Sequence, residues 1–293
     1  MSTTHTLILV TIMSTRIAPL RQLLQRGLLY PLISVLMVGV VVLGQPQVSQ
    51  AIPWWQILIQ GAQIVQIANM SDGQEANLGA QINQELSGQV KLYQNPAANE
   101  YVNRIGQKLA RSSARPNIKY TFQVVDDDAI NAFATMGGFV YVNTGLLKAA
   151  DNEAQLAGVI GHEIGHITGR HSLQHMKQAA IAQGISSVLG VDRDQLVQLG
   201  VQVALTLPNS RKDEYDADRR GLTTMIQSGY APTAMPEFMK KLMRGNSPPE
   251  FMSSHPAVPE RVANLQRMIP SAYQNRTDGL NVGSYKQQLR SFF

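Results

Sequence analysis

Gly161, Gly165 and Gly169 recur at every fourth position, and the same stretch carries His162, Glu163 and His166. Leu156, Val159, Ile160, Ile164 and Ile167 repeat near the helical period around them. Asp151 and Asn152 are residue types that cap helix starts, and Glu153 suits a first turn. The segment is therefore expected to be a helix, although each internal glycine costs about 1 kcal/mol of helix propensity relative to alanine. A stripe of bare backbone offsets that cost only where another backbone packs closely on it, or where a metal and a substrate need the room.

Residues four apart on a helix lie about 40° round from each other, so His162 and His166 project from one face and can share a metal ion. Glu163 is set to the side, poorly placed as a ligand but able to take a proton from an attacking water. This is the chemistry of peptide hydrolysis. A catalytic zinc wants three protein ligands and an open position, which calls for a further histidine or carboxylate on a separate element. Asn209-Ser210 opens a second helix after Pro208, and Gly229 closes it. Within it Glu214 and Asp218 are again four apart, so one can bind metal while the other accepts a hydrogen bond from a ligand histidine. The plainer reading is a solvated acidic face near a helix start, and the metal motif weighs against it.

His162 to His166, followed by Ser210-Arg211, Glu214 and Ala217-Asp218, resembles the HtpX-like and CAAX-prenyl-protease family of gluzincin zinc metallopeptidases. Asn131-Ala132-Phe133-Ala134 with Gly137-Gly138, Thr144-Gly145-Leu146-Leu147, and Ser254-His255-Pro256 with Arg261 fit the same pattern. Ser71, Gln74-Glu75 and Gly79 resemble the lead-in of its bacterial envelope branch. Together these cover most of residues 71 to 269. The resemblance implies an endopeptidase with one zinc ion on His162, His166 and Glu214, with Glu163 as catalytic base. It also implies that Asp218 orients a ligand histidine, and that His255 and Arg261 face the substrate. The strand beside the metal helix would be an edge to which an extended peptide adds, with Asn131, Gly138, Phe139 and Tyr141 along it.

The 293 residues, 44% hydrophobic and 15% charged, suffice for one sizeable core. Arg16, Arg21 and Arg26 precede residue 52 and no acidic residue does, so the remainder carries 22 basic against 20 acidic groups. That near-balance gives no reason to invoke nucleic acid. Those arginines lead into an uncharged run from Gly27 to Gly44, and Ser49-Gln50-Ala51 offers small residues at the positions a signal peptidase reads. Residues 1–51 are expected to be a signal peptide with mature protein from Ile52; the alternative is an uncleaved anchor, and Met13 is a second candidate start. Either outcome places the rest in the periplasm or on the extracytoplasmic face. The absence of cysteine excludes disulfides and thiolate ligands, leaving the metal to histidine and carboxylate.

Residues 52–270 are read as the peptidase domain and 271–293 as a C-terminal tail. The expected fold is α+β and zincin-like, mostly helical with a small sheet. Trp54 to Ile67 reads as an apolar helix packed on the domain, with peripheral membrane or envelope-protein association as the alternative. Helices are expected around 75–86, 97–111, 232–245 and 259–268, and a helical hairpin over 173–207. Strands are expected around Ile118 to Val124, whose residues alternate, and at Phe139 to Asn143. Asp126-Asp127-Asp128 fits no calcium loop and is read as a turn. His171 and His175 repeat the spacing of the metal pair on a rotated face, and are assigned to the surface or to the layer behind the ligands. The expected substrates are polypeptides, in the first place unfolded or damaged envelope proteins. The rival is a chaperone-like or latent module that keeps the zinc but rarely cuts, and a closed structural zinc site is a third reading.

Overall fold

The computed structural model describes residues 70–182, 193–244, 249–256 and 258–293. The expected leader, the cleavage point before Ile52 and the apolar segment 54–67 lie outside the described residues. Among those described, no helix is long and apolar enough to cross a membrane.

Helix α1 (Asp72–Gln89) starts in a capping box between Ser71 and Gln74, and α2 (Pro96–Arg111) starts at Asn95 with proline in its first turn. Strands β1 (Thr121–Val125), β2 (Ala132–Thr135) and β3 (Phe139–Asn143) follow, β2 and β3 being joined by a 3-10 turn at Met136–Gly138. Gly137 and Gly138 take φ of 78° and 98° there, which is why glycine stands at both places. Then come α3 (Thr144–Ala149), α4 (Glu153–Gly169), α5 (His171–Ala182), α6 (Arg193–Thr206) and α7 (Arg211–Gln227). The chain finishes with α8 (Ala234–Leu242), α9 (Glu250–Ser254), α10 (Val258–Met268) and α11 (Val282–Leu289). The mostly helical α+β class expected from the sequence holds, and α5 packs on α6 as a hairpin does.

The sheet order is β1-β3-β2, with β3 parallel to β1 and antiparallel to β2. The expected edge strand is therefore misplaced: Phe139 and Tyr141, with Gly138 just before them, belong to the central strand, whose backbone is paired on both sides. The outer edge of β1 is also taken, because Tyr93 N donates to Val124 O (2.8 Å) and Asp126 N to Lys91 O (2.7 Å). Among the described residues, β2 is left as the free edge. Asn131, just before it, is paired through its carbonyl with Asn143 N (3.1 Å). That register turns the backbone groups of Ala132 and Ala134 outward.

Ala132, Val124, Val140 and Val142 join the main core with α2 and α4. Phe133, Tyr141 and Val125 lie on the opposite face, over α1, α5 and α6. Residues 271–293 are not a tail apart. Tyr285 and Phe292 are part of the main core, Tyr285 Oη donates to Leu147 O (2.8 Å), and Ala154 N in the first turn of α4 donates to Gly279 O (2.9 Å). Asp126-Asp127-Asp128 is irregular backbone between β1 and β2, with the Asp127 carbonyl accepting from Gly145 N (2.8 Å).

Candidate active site

α4 and α7 cross at their smallest residues. A Cβ on Gly165 would lie 2.4 Å from Ala217 O, and one on Gly221 would lie 2.8 Å from His162 N. The glycine stripe thus lets two backbones touch, one turn from the side chains that matter. His162 and His166 leave the same face of α4 with their Nε2 atoms 3.0 Å apart. From α7, capped by Ser210, Glu214 brings Oε1 to 3.2 Å from His166 Nε2 and Oε2 to 3.4 Å from His162 Nε2. His255, in the turn between α9 and α10, sets Nδ1 3.1 Å from Glu214 Oε1 and 3.2 Å from His162 Nε2. All four side chains are buried, and their donor atoms lie within 4.8 Å of one another.

A second layer holds these groups. Asp218 Oδ1 stands 2.9 Å from His162 Nδ1, and Arg261 binds Asp218 through Nε and NH2, both at 2.7 Å. Arg261 also ion-pairs with Glu214 and donates to the His255 carbonyl (3.2 Å). It is fully buried. Arg261 therefore does not face a substrate, as the sequence reading expected; its donors are taken by the carboxylates and the carbonyl behind the site. Nor does His255 look across an open cleft, since it stands inside the donor group. His171 and His175 are buried, not surface groups. His171 Nδ1 lies 2.9 Å from His166 Nδ1, His171 Nε2 lies 3.3 Å from Asp216, and His175 Nε2 pairs with Asp213 (2.8 Å).

This donor set fits a cation. With Asp218 accepting from His162 Nδ1, the His162 Nε2 lone pair faces inward, and His166 Nε2 does the same when its Nδ1–H donates to His171. Once His162 gives up its second proton, two lone pairs and a carboxylate converge within hydrogen-bond distance, an arrangement that a metal ion satisfies. Glu214 Oε2 touches Arg261 as an ion pair but accepts no directional hydrogen bond, so it too retains a free lone pair. Burial opposes protonation of His162, yet Glu214 and Asp218 outweigh it and raise its pKa to about 9; a field that favours a proton there favours any cation. Burial, with His162 adding to it, lowers His166 to about 3, so its ring is neutral at pH 7 and ready as a ligand. Burial works against the Glu214 carboxylate, but His255 and His162 hold it well below the usual range.

Glu163 is buried beside this group, its Oε1 accepting no hydrogen bond and lying 3.6 Å from His255 Nε2. Burial raises its pKa. A cavity of about 40 Å³ lined by Phe133, Ala134, Glu163, His166 and His255 joins it to the free edge of β2. His255 Nε2 lies 3.4 Å from the outward carbonyl of Ala132.

Two histidines and a glutamate on crossed helices, with the buried Glu163 carboxylate beside them, are the donor set that a metallopeptidase site uses. Peptidase family M48 matches residues 96–269, and the chain belongs to that family. It is 30% identical over 232 residues to the beta-barrel assembly-enhancing protease of Escherichia coli strain K12, covering 72% of this chain and 48% of that protein. With the mitochondrial metalloendopeptidase OMA1 of Saccharomyces cerevisiae it shares 29% identity over 196 residues, covering 62% of this chain and 56% of the relative. The chain spans about half the length of the curated relatives it matches.

Proposed function

We propose that this protein is an exported zinc endopeptidase that cuts unfolded or damaged proteins of the bacterial envelope. The observation carrying this reading is the convergence of His162, His166 and Glu214 beside the buried carboxylate of Glu163, whose Oε1 accepts no hydrogen bond, at the edge of β2. The envelope assignment draws on the charge pattern of residues 1–51 and on the likeness to a beta-barrel assembly-enhancing protease.

His162, His166 and Glu214 hold the metal, which when bound polarises the substrate carbonyl and acidifies water. The rest is the work of side chains. Asp218 fixes His162 in the tautomer that presents Nε2, and Arg261 keeps Asp218 and Glu214 charged in a buried setting. The outward groups of Ala132 and Ala134 take the substrate backbone as an added strand, a contact indifferent to side-chain identity. Glu163 receives the proton of the attacking water and returns it to the leaving amine; its raised pKa suits both steps. Hydrolysis of an unfolded protein by the purified chain, abolished by a chelator and by Glu163→Gln while that variant keeps its zinc, is the expected result. Undiminished turnover in Glu163→Gln would sink the assignment.

The position of His255 supports a second element, a latch. Its Nδ1 lies among the ligand atoms and its Nε2 leans on the Ala132 carbonyl that an added strand needs. A peptide can then pair fully with β2 only after His255 leaves. If so, His255→Ala raises hydrolysis with zinc retained. Lower hydrolysis with zinc retained would make His255 an oxyanion donor instead, and loss of the zinc would make the site a closed four-ligand structural one.

A further inference from the structure

Among the described residues, one face of the sheet is incompletely covered. Val125 on β1, Asn143 on β3 and Asn131 just before β2 form a row, next to the stacked pair Phe133 and Tyr141. Over that row lies a cavity of about 430 Å³. It shares Phe133, Ala204, Leu207 and Ser254 with the smaller cavity that reaches Glu163 and His166, so it is a side chamber of the same cleft.

Its chemistry is one-sided. Among the described residues the lining includes Asp127 and Glu250 and no basic residue, while Leu205, Leu207, Pro208 and Phe133 supply apolar wall. Of the three consecutive aspartates, Asp126 pairs with Lys91 and Asp128 with Lys148, whereas Asp127 has no ion pair among the described residues. Glu250 has none either; its Oε1 accepts only from Asn131 Nδ2 (2.8 Å). At the floor, Asn143 is 4% exposed and its Oδ1 has no hydrogen-bond partner. A buried acceptor left unsatisfied is costly unless a donor arrives.

We propose that this chamber is the subsite for one lysine or arginine side chain of the peptide bound along β2. The proposal rests on the peptidase reading above. Side chains alternate along an added strand, so every second one falls on the face that carries Asn131 and Phe133. A basic side chain fits both halves of the chamber: its methylene stem lies on the apolar wall while its N–H groups reach Asn143 Oδ1 and the two carboxylates. Backbone pairing alone is blind to sequence, and this chamber adds one position at which the enzyme reads it.

The test uses the full, zinc-loaded chain and fluorogenic peptides that differ at one position flanking the cut: arginine, lysine, norleucine or glutamate. At one such position kcat/KM for the basic peptides should exceed that for norleucine by about tenfold, with glutamate poorest. The isosteric pair Asp127→Asn and Glu250→Gln should bring the arginine-to-norleucine ratio within about threefold. Cleavage with no basic preference at any position, or a preference unchanged in the double variant, overturns the subsite and leaves the peptidase reading intact. A second arm measures binding of the same peptides to Glu163→Gln by fluorescence polarisation. Tighter binding of basic peptides, lost in the double variant, upholds the subsite even if the parent cuts nothing; equal dissociation constants, or no binding, overturn it.

Discussion

Replacing Gly165 by alanine tests whether the crossing of α4 and α7 sets the metal site. The added Cβ would lie 2.4 Å from Ala217 O, 2.9 Å from its Cα and 3.0 Å from its carbonyl carbon. All three are backbone atoms, and ordinary contact begins at about 3.5 Å, so the helices must part by roughly 1 Å. Helix propensity favours alanine by about 1 kcal/mol, while overpacking of this kind costs typically 1–3 kcal/mol and sometimes more. The overpacking term is at its upper end here because no flexible side chain can yield. A net loss of about 2 kcal/mol lowers Tm by about 4–8 °C in a domain of this size. Because Glu214 rides on the displaced helix, while metal–ligand distances tolerate only about 0.2 Å, zinc affinity should also fall, by about 10–100-fold. Thermal melting of metal-free and zinc-loaded protein, with chelator competition, reads both effects. Gly73→Ala, in the first turn of α1 with nothing within 4 Å of the added Cβ, is the control and should be neutral or stabilising. A Gly165→Ala protein as stable as its parent would refute the reasoning.

Arg261→Met should cost the metal-free protein about 3–5 kcal/mol in chemical denaturation, since Asp218 and Glu214 lose the cation that neutralises them in a buried setting. Saturating zinc should recover part of that loss, and an unchanged midpoint would show the pairs to be idle. His171→Phe keeps a ring behind His166 but removes the acceptor at its Nδ1, so zinc affinity by chelator competition should drop about 10–100-fold while His171→Gln restores part of it. Asn152→Ala removes the side chain that accepts from Gln155 N at the start of α4 and should cost about 1 kcal/mol, read as a shifted urea midpoint at constant slope.

The helices were legible because their ends carry local chemistry: Asn152 and Ser210 mark the starts of α4 and α7, and Gly229, with φ of 88°, closes the second of them. β2 was not. Ala132-Phe133-Ala134-Thr135 is short and rich in alanine, and it is extended because β3 pairs with it, which no local propensity records. Hence the free edge was assigned to the more regular strand beside it. Arg261 was misread for a related reason. A lone arginine near a histidine turn looks like a group for substrate, and only the convergence of α7 with α10 reveals that Asp218 and Glu214 consume it. His171 stands out in the sequence only because, with His175, it repeats the spacing of the metal pair; which side of α5 faces α4 is settled by the left-handed turn at Arg170 (φ 56°).

The hydrogen bond from Ala154 to Gly279 orders events in time. The chain emerges from the ribosome N-terminus first, at about 5–20 residues per second, so α4 with its two histidines and glutamate is made well before its first turn can be tied down by that carbonyl. The same delay applies to Arg261 and to the core places of Tyr285 and Phe292. The start of the helix that carries His162, Glu163 and His166 is thus held by residues far along the sequence, so local folding of α4 alone does not complete the site.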